Sequence, residues 1–328
     1  MIIYLEKKLK DNKIAKNIIS KFFSAEVLEI DNYKNIFDKN IAWNIEKIIV
    51  IASVNNAVLE VPVWYGHNWI WYFLKNSLNC IYDCKYCYLK WAFKNNNIQV
   101  FFVNYDDMKK QILKKINQTL ELIKKTEVNN PIWFYTSDYS DNLAIDNLTK
   151  FTNEFVPFFD SLENVKAEIR TKSINIWNLL KLKPSKNIEI AFSLNPSEVI
   201  KKYELKTSLL DARIASINTL LDAGWQVWVR FLPLLEVENY KEIYEKFLRE
   251  IVKKIDFSKI YSVFIGWLLY TESDYNKILK KEPYLDILYK LEKSNDGFVR
   301  ENREVRNFFY KLFDELIKEK KCNRCLDL

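Results

Sequence analysis

Cys80, Cys84 and Cys87 stand in the spacing C-x3-C-x2-C within SLNCIYDCKYCYLKW (Ser77–Trp91), and they are three of only five cysteines in 328 residues. Thiolates are soft ligands suited to zinc or to iron–sulfur centres, and three on one short loop can converge on one face of a metal or cluster. The count of three is informative. A structural zinc ion closes its tetrahedron with a fourth protein ligand, whereas a cubane held by three cysteines leaves one iron open to a substrate or cofactor. An inert cysteine plug does not suit this loop, because Asp83, Lys85, Tyr86 and Tyr88 make it polar. The other two thiols, Cys322 and Cys325 in KKCNRCLDL, form a second C-x2-C pair. Joined to Cys84 and Cys87 they make the count of a structural zinc site, which would clamp the C-terminus of a non-catalytic binding module. That alternative leaves Cys80 unused.

The elements around the loop decide where it can act. It follows the apolar run WIWYFLKN, and further runs IWFYT, KAEIRT, IEIAFSL, QVWVRFL and YSVFIGWLL alternate with helical segments at 105–125, 142–160, 207–223 and 240–255. Strands apolar on both faces and separated by helix-length connections predict a parallel sheet of right-handed βα units, open or curled toward a barrel. Sites in such folds gather at the C-terminal ends of the strands, and the cysteine loop follows the first of them. Ahead of it, IIYLE and AEVLEI read as short strands with the helix KIAKNIISKFF between them, a small α/β unit running to about Asn55.

A chain of 328 residues with 49% hydrophobic and 15% aromatic content can bury the core of one large domain or two ordinary ones. The start MIIYLEKKLKDNK lacks the pattern of a secretory signal, and no run of about 18 apolar residues suggests a membrane span. A cytoplasmic location is expected, where thiols stay reduced and clustered cysteines bind metal or do chemistry. The net charge of +7 is modest, and lysines in MKKQILKKINQTLELIKKT fit the solvated face of an amphipathic helix. With four glycines in the chain, phosphate loops of the GxGxxG and GxxxxGK(S/T) kinds are excluded. The single His67, in VWYGHNW, reads as a packing residue rather than a ligand.

Taken together these motifs resemble the radical S-adenosylmethionine (SAM) superfamily, and within it the spore photoproduct lyase family. The resemblance rests on Tyr86, Cys87, Tyr88 and Leu89 at the third cysteine and on YTSDYSDNLAIDNLTKF (135–151). It extends through TKSINIWNLL (171–180) and FSLNPSEVIKKYELKTSLLDARIASINTLLDAGWQV (192–227), and IIYLEKKLKDNKIAKNI looks like the family's N-terminal unit. It implies an α/β fold with a partial (β/α)6 TIM-type barrel of the radical SAM type. A small N-terminal α/β unit over residues 1–60, the barrel over 61–270 and a helical C-terminal extension with its tail over 271–328 are then expected.

The resemblance further implies that Cys80, Cys84 and Cys87 bind a 4Fe–4S cluster whose open iron chelates the amino and carboxylate groups of SAM. Reductive cleavage then yields methionine and a 5′-deoxyadenosyl radical that abstracts a substrate hydrogen. Carried over position by position, Ser140, Lys172, Ser193 and Asn195 line the SAM site. These are residue types able to grip a carboxylate and a ribose from strand ends. For Ser193 and Asn195 a local role is also open, capping the helix that starts at PSEVIKKY. Tyr86 and Tyr88 fall in catalytic positions, with Tyr88 beside the substrate radical's path. The implied partners are a DNA photoproduct as substrate and an external electron donor of the flavodoxin or ferredoxin type; a different radical SAM substrate is the second reading.

One departure stands out. Carried over without gaps, the resemblance puts Asp138 where the family's hydrogen-donating cysteine stands shortly after the second strand, and an aspartate has no hydrogen atom to give. A thiol of the tail could substitute only by folding back over the barrel mouth, and a docked or frayed terminus is the expectation. The series Arg300, Arg303 and Arg306 could touch phosphates, although Glu301 and Glu304 interleaved with it favour a water-facing helix edge.

Overall fold

The strand Ile48–Ala52 buries all five of its side chains, and burial on both faces places it inside a parallel sheet rather than at an edge. In the computed structural model, which describes residues 1–38, 48–62, 70–92, 98–125, 130–317 and 322–324, this strand is central to a five-stranded sheet. The sheet order is Glu26–Ile30, Ile2–Glu6, Ile48–Ala52, Ile98–Phe102, Ser77–Leu78. All neighbours are parallel except the last pair. The helix Lys13–Ser20 is capped by Asn12, whose side chain accepts from the Ile14 and Ala15 amides, and its Ala15 and Ile18 pack with Ile3, Leu5, Ile49 and Phe101. The two expected N-terminal strands and their helix are present. Ile48–Ala52 and Ile98–Phe102 are not expected from sequence, because short, mostly apolar runs carry no period that separates a buried strand from a helix.

These elements belong to the first of two compact units, Met1–Ile81 with Phe93–Arg170 and Asn175–Glu189. A second run of neighbouring strands in it is Val58–Glu60, Trp71–Leu74, Ile132–Tyr135 and Val165–Thr171. The first pair is antiparallel and the others are parallel. The long helix Tyr105–Ile123 buries Met108, Ile112, Ile116 and Thr119, a stripe with near-helical spacing. The segment expected as one helix at 142–160 is two, Asn142–Thr149 and Phe151–Asp160, broken at Lys150 with φ 55°. One left-handed residue barely disturbs the apolar period, so the pattern runs across the break. Asp146 bridges it, accepting from the Thr152 amide at 2.8 Å, the Thr152 hydroxyl at 2.6 Å and Asn178 Nδ2 at 2.7 Å.

The second unit comprises Tyr82–Ala92, Thr171–Ile174 and Ile190–Leu328. Its strands Ile188–Ser193, Gln226–Leu234, Ser262–Trp267 and Cys322–Arg324 are neighbours in that order, and the last two pairings are parallel. Helices Ser197–Tyr203, Leu210–Asp222 and Tyr240–Lys254 connect or flank them. Phe231 meets Phe313 at 4.7 Å and Phe247 at 5.9 Å between ring centroids, which joins a strand and two helices in one core. The C-terminal region is not purely helical. Besides the helices Glu272–Lys281 and Arg303–Leu316 it holds a small antiparallel sheet of Leu269–Thr271, Phe298–Arg300 and Glu292–Lys293. Cys322–Arg324 docks as an edge strand, with Cys322 paired to Val263. Among the described residues no helix is long and apolar enough to cross a membrane. His67 and Cys325 lie outside the described residues.

Candidate active site

The residues singled out in the sequence divide between the two units. Cys80 and Ser140 belong to the first; Cys84, Tyr86, Cys87, Tyr88, Lys172, Ser193 and Asn195 belong to the second. In the first unit, Asn79 takes a left-handed φ of 66° and anchors its side chain on the Ile98 carbonyl, turning the chain out of strand Ser77–Leu78 just ahead of Cys80. Ser140 lies after strand Ile132–Tyr135, 4% exposed, and its hydroxyl finds no hydrogen-bond partner among the described residues. An orphaned buried hydroxyl costs free energy unless a ligand or water satisfies it. Asp138, two residues earlier, faces Arg170 at 3.6 Å, and Arg170 donates to Glu168 at 3.0 Å.

In the second unit the cysteine loop is held by backbone pairing. Asp83–Cys84 lies antiparallel to Glu204–Leu205 with Cys84 opposite Glu204, and the Lys85 amide donates to the Tyr203 carbonyl at 2.8 Å. A turn follows in which the Cys87 amide donates to Cys84 O at 3.0 Å, and the chain enters the short helix Leu89–Ala92. Lys90 ties that helix down through Asp83 at 2.8 Å and Glu282 at 2.9 Å. Cys84 is buried and Cys87 half-buried. Burial pushes the Cys87 thiol up, against the Leu89 amide and the charges of Lys172 and Lys90, which favour the thiolate. The two flanking tyrosines differ sharply: Tyr86 is 6% exposed and Tyr88 is 39% exposed.

Tyr86 donates its hydroxyl to Glu204 Oε1 at 2.6 Å, and its own carbonyl accepts from the Tyr270 hydroxyl at 2.7 Å. The same Glu204 oxygen accepts from Asn195 Nδ2 at 2.9 Å. Glu204 Oε2 takes Arg213 Nη2 at 2.7 Å, both side chains having no exposed surface. Arg213 also donates to the carbonyls of Ser193 at 2.8 Å and Ser208 at 2.9 Å and to the Thr207 hydroxyl at 2.7 Å. Asn195 is completed by the Tyr244 hydroxyl at 3.1 Å, so its amide serves this network and not a helix cap; the helix Ser197–Tyr203 has no side-chain cap. Lys172 places its ammonium 5.9 Å from the Tyr86 ring centroid.

Burial alone would raise the Glu204 carboxyl, but the charges of Lys172 and Arg213 and the hydrogen bonds from Tyr86 and Asn195 outweigh it and hold the group below its ordinary range. Tyr86 moves the other way, pushed well above a free phenol by burial and by the Glu204 charge. Removing one partner of a buried ion pair costs about 3–5 kcal/mol, because the other charge is stranded. Glu204 and Arg213 were not anticipated from sequence. A signal existed, since Arg213 falls on the buried stripe of Leu210, Ile214, Ile217 and Leu220, where an unpaired cation is not tolerated.

Chemically, the second unit offers two thiols on a pinned loop with a lysine and an asparagine gathered beside it. Among the described residues no group of three or more His, Cys, Asp or Glu side chains is placed to hold a metal ion. A cubane takes each cysteine on a different iron, and soft thiolates with a neighbouring cation suit such an anionic centre.

Residues 70–294 match the family model for spore photoproduct lyase. The spore photoproduct lyase of Clostridium acetobutylicum is 29% identical over 204 residues, 62% of this chain and 58% of that protein. That of a Geobacillus species is 24% identical over 185 residues, 56% and 52% of the two chains. In these alignments the chain spans little more than half the length of its curated relatives. In fold it resembles a spore photoproduct lyase double mutant solved with bound AdoMet and dinucleoside spore photoproduct. The TM-score is 0.79 at 18% identity, over 99% of this chain and 98% of that one. A single mutant of the same enzyme gives a TM-score of 0.80 at 18% identity over the same shares of both chains. With the C-x3-C-x2-C loop and most of the residues around it inside the matched stretch, this chain belongs to the spore photoproduct lyase family of the radical SAM superfamily.

Proposed function

We propose that the protein is a radical SAM lyase that binds a 4Fe–4S cluster through Cys80, Cys84 and Cys87 and acts on a DNA photoproduct. The observation that carries this is the family match across residues 70–294, which contains all three cysteines on a loop held by its own strand pairing and a buried ion pair. The solved relative whose fold is shared binds AdoMet and a dinucleoside spore photoproduct, which supports SAM as cofactor and a thymine-dimer-like substrate. The accompanying architecture is the partial (β/α)6 barrel of the superfamily. Cluster and SAM together supply one-electron cleavage of a sulfonium bond and abstraction of a substrate hydrogen.

The chain's own residues position and shield. Lys172 and the Ser140 hydroxyl present a cation and a donor to the methionine carboxylate and ribose, and Ser193 and Asn195 line the same cofactor. Tyr88, partly exposed, forms a wall of the substrate pocket. An external donor of the flavodoxin or ferredoxin type supplies the electron. Asp138, in place of the usual thiol, lowers the efficiency of the final hydrogen return.

The test is anaerobic reconstitution with iron and sulfide, followed by SAM, dithionite and UV-damaged DNA, with analysis of repaired thymine and 5′-deoxyadenosine. A brown, oxygen-sensitive protein that produces both supports the proposal. A colourless protein holding one tight zinc ion per chain would replace it with the zinc-clamped module. SAM cleavage without thymine repair would leave the radical chemistry standing and move the substrate elsewhere.

A further inference from the structure

We propose that the buried Arg213–Glu204 pair is the positioning element of the cluster loop, and that Tyr86 is its anchor rather than a participant in hydrogen transfer. The inference rests on the cluster assignment above and adds residues to it. Glu204 stands opposite Cys84 in the strand register, so its backbone fixes one ligand while its side chain reaches the next segment of the loop. That reach ends on Tyr86, which precedes Cys87 in the sequence and whose hydroxyl is committed to Glu204 at 2.6 Å. For Tyr86 to give up a hydrogen atom to a substrate, this buried donor would have to leave its carboxylate acceptor. Tyr88, at 39% exposure, carries no such burial.

The same pair also fixes the segment proposed to meet SAM. Arg213 donates to the Ser193 carbonyl and Glu204 accepts from the Asn195 amide, so two cofactor-lining positions and the ligand loop share one ion pair. A planar guanidinium with its donors directed at four acceptors holds this geometry in a way an ammonium cannot. The arrangement is an outer layer of side chains that orients the ligands without touching the metal, the kind whose loss weakens metal or cofactor function about 10- to 100-fold.

The experiment compares wild type with Glu204→Gln, Arg213→Lys, Arg213→Ala and Tyr86→Phe. In the protein without cluster, hydrogen–deuterium exchange of the peptide containing Cys84 to Tyr88 is expected to speed up in Glu204→Gln and Tyr86→Phe. In reconstituted protein, SAM binding and the SAM-induced change in the electron paramagnetic resonance spectrum of the reduced cluster are expected to weaken by about ten-fold or more in Glu204→Gln. Cleavage per bound SAM should stay near wild type in Tyr86→Phe, and Arg213→Lys should recover part of what Arg213→Ala loses. If Glu204→Gln fails to fold, Tyr86→Phe, which removes a single hydrogen bond, carries the same readouts. Unchanged loop exchange and unchanged SAM affinity in the folded variants overturn the proposal, as does loss of cleavage per bound SAM in Tyr86→Phe. Failure of wild type to take up a cluster would defeat the functional assignment instead, while exchange in the apoprotein would still decide whether the pair holds the loop.

Discussion

The Asp138 carboxylate faces the Arg170 guanidinium at 3.6 Å, so the position proposed above to stand in for a hydrogen-donating thiol holds an ion-paired acid. A carboxylate in that pairing has no hydrogen atom to return to a carbon radical. If the substrate is a thymine dimer, Asp138→Cys is expected to raise repaired thymine per SAM consumed. Arg170 keeps Glu168 as a partner at 3.0 Å, which limits the structural cost. The yield is compared with wild type and with Cys322→Ala/Cys325→Ala. Efficient wild-type repair that survives removal of both tail thiols would show that no thiol outside the cluster is needed.

Each of Cys80→Ala, Cys84→Ala and Cys87→Ala is expected to abolish the brown colour and SAM cleavage, since three thiolates are the minimum that holds a cubane with one open iron. Iron and sulfide analysis after anaerobic reconstitution measures it. A full cluster in all three single variants would remove this loop from the site.

Tyr88→Phe is expected to leave cluster content and SAM cleavage near wild type, because in the wall role proposed above a part-exposed ring contributes area rather than its hydroxyl. A simultaneous collapse of cluster content and cleavage would make that hydroxyl structural. Selective loss of product with cleavage intact would place it in the substrate's path.

Much of this was legible in the sequence, and the limits have physical causes. The cysteine spacing and the helices near 105–125, 207–223 and 240–255 follow from composition and period, whereas the two-residue strand Ser77–Leu78, which comes between Trp71–Leu74 and the cysteines and pairs in another sheet, is too short to show a pattern. The division of 142–160 did not follow, because a single left-handed residue at Lys150 is nearly silent in the hydrophobic pattern. For Asn195 the capping alternative fails, because its amide is spent on Glu204 and Tyr244 and the following helix has no side-chain cap. Arg213 shows locally as a cation on a buried helix stripe, but the register that sets Glu204 opposite Cys84 joins distant parts of the chain and leaves no local pattern.

Glu301 provides a pH test. It is 2% exposed, and Oε2 finds no hydrogen-bond partner among the described residues. Burial pushes its carboxyl well above the ordinary range, with Glu236 adding to the rise while Arg306 and the Glu301 and Leu268 amides oppose it. The folded state therefore keeps a proton that the unfolded state releases above about pH 4.3, and stability falls as pH rises through that window. Glu301→Gln removes the linkage. Its advantage over wild type in urea denaturation should be small near about pH 4 and grow toward about pH 8, by at most about 1.4 kcal/mol per pH unit. A difference that does not vary with pH would mean that Glu301 ionises in the fold as freely as in the unfolded chain.

The antiparallel pairing of Asp83–Cys84 with Glu204–Leu205 sets a timetable. During synthesis the three cysteines emerge long before the strand that shapes their loop, and Arg213, which neutralises that strand's glutamate, follows later still. Until then the thiols are three mobile, oxidisable groups on an unformed loop, exposed to adventitious metals and to one another. On the proposed cluster assignment, delivery of iron and sulfide after Arg213 has folded into place would meet a Cys84–Cys87 turn already shaped by its strand partner.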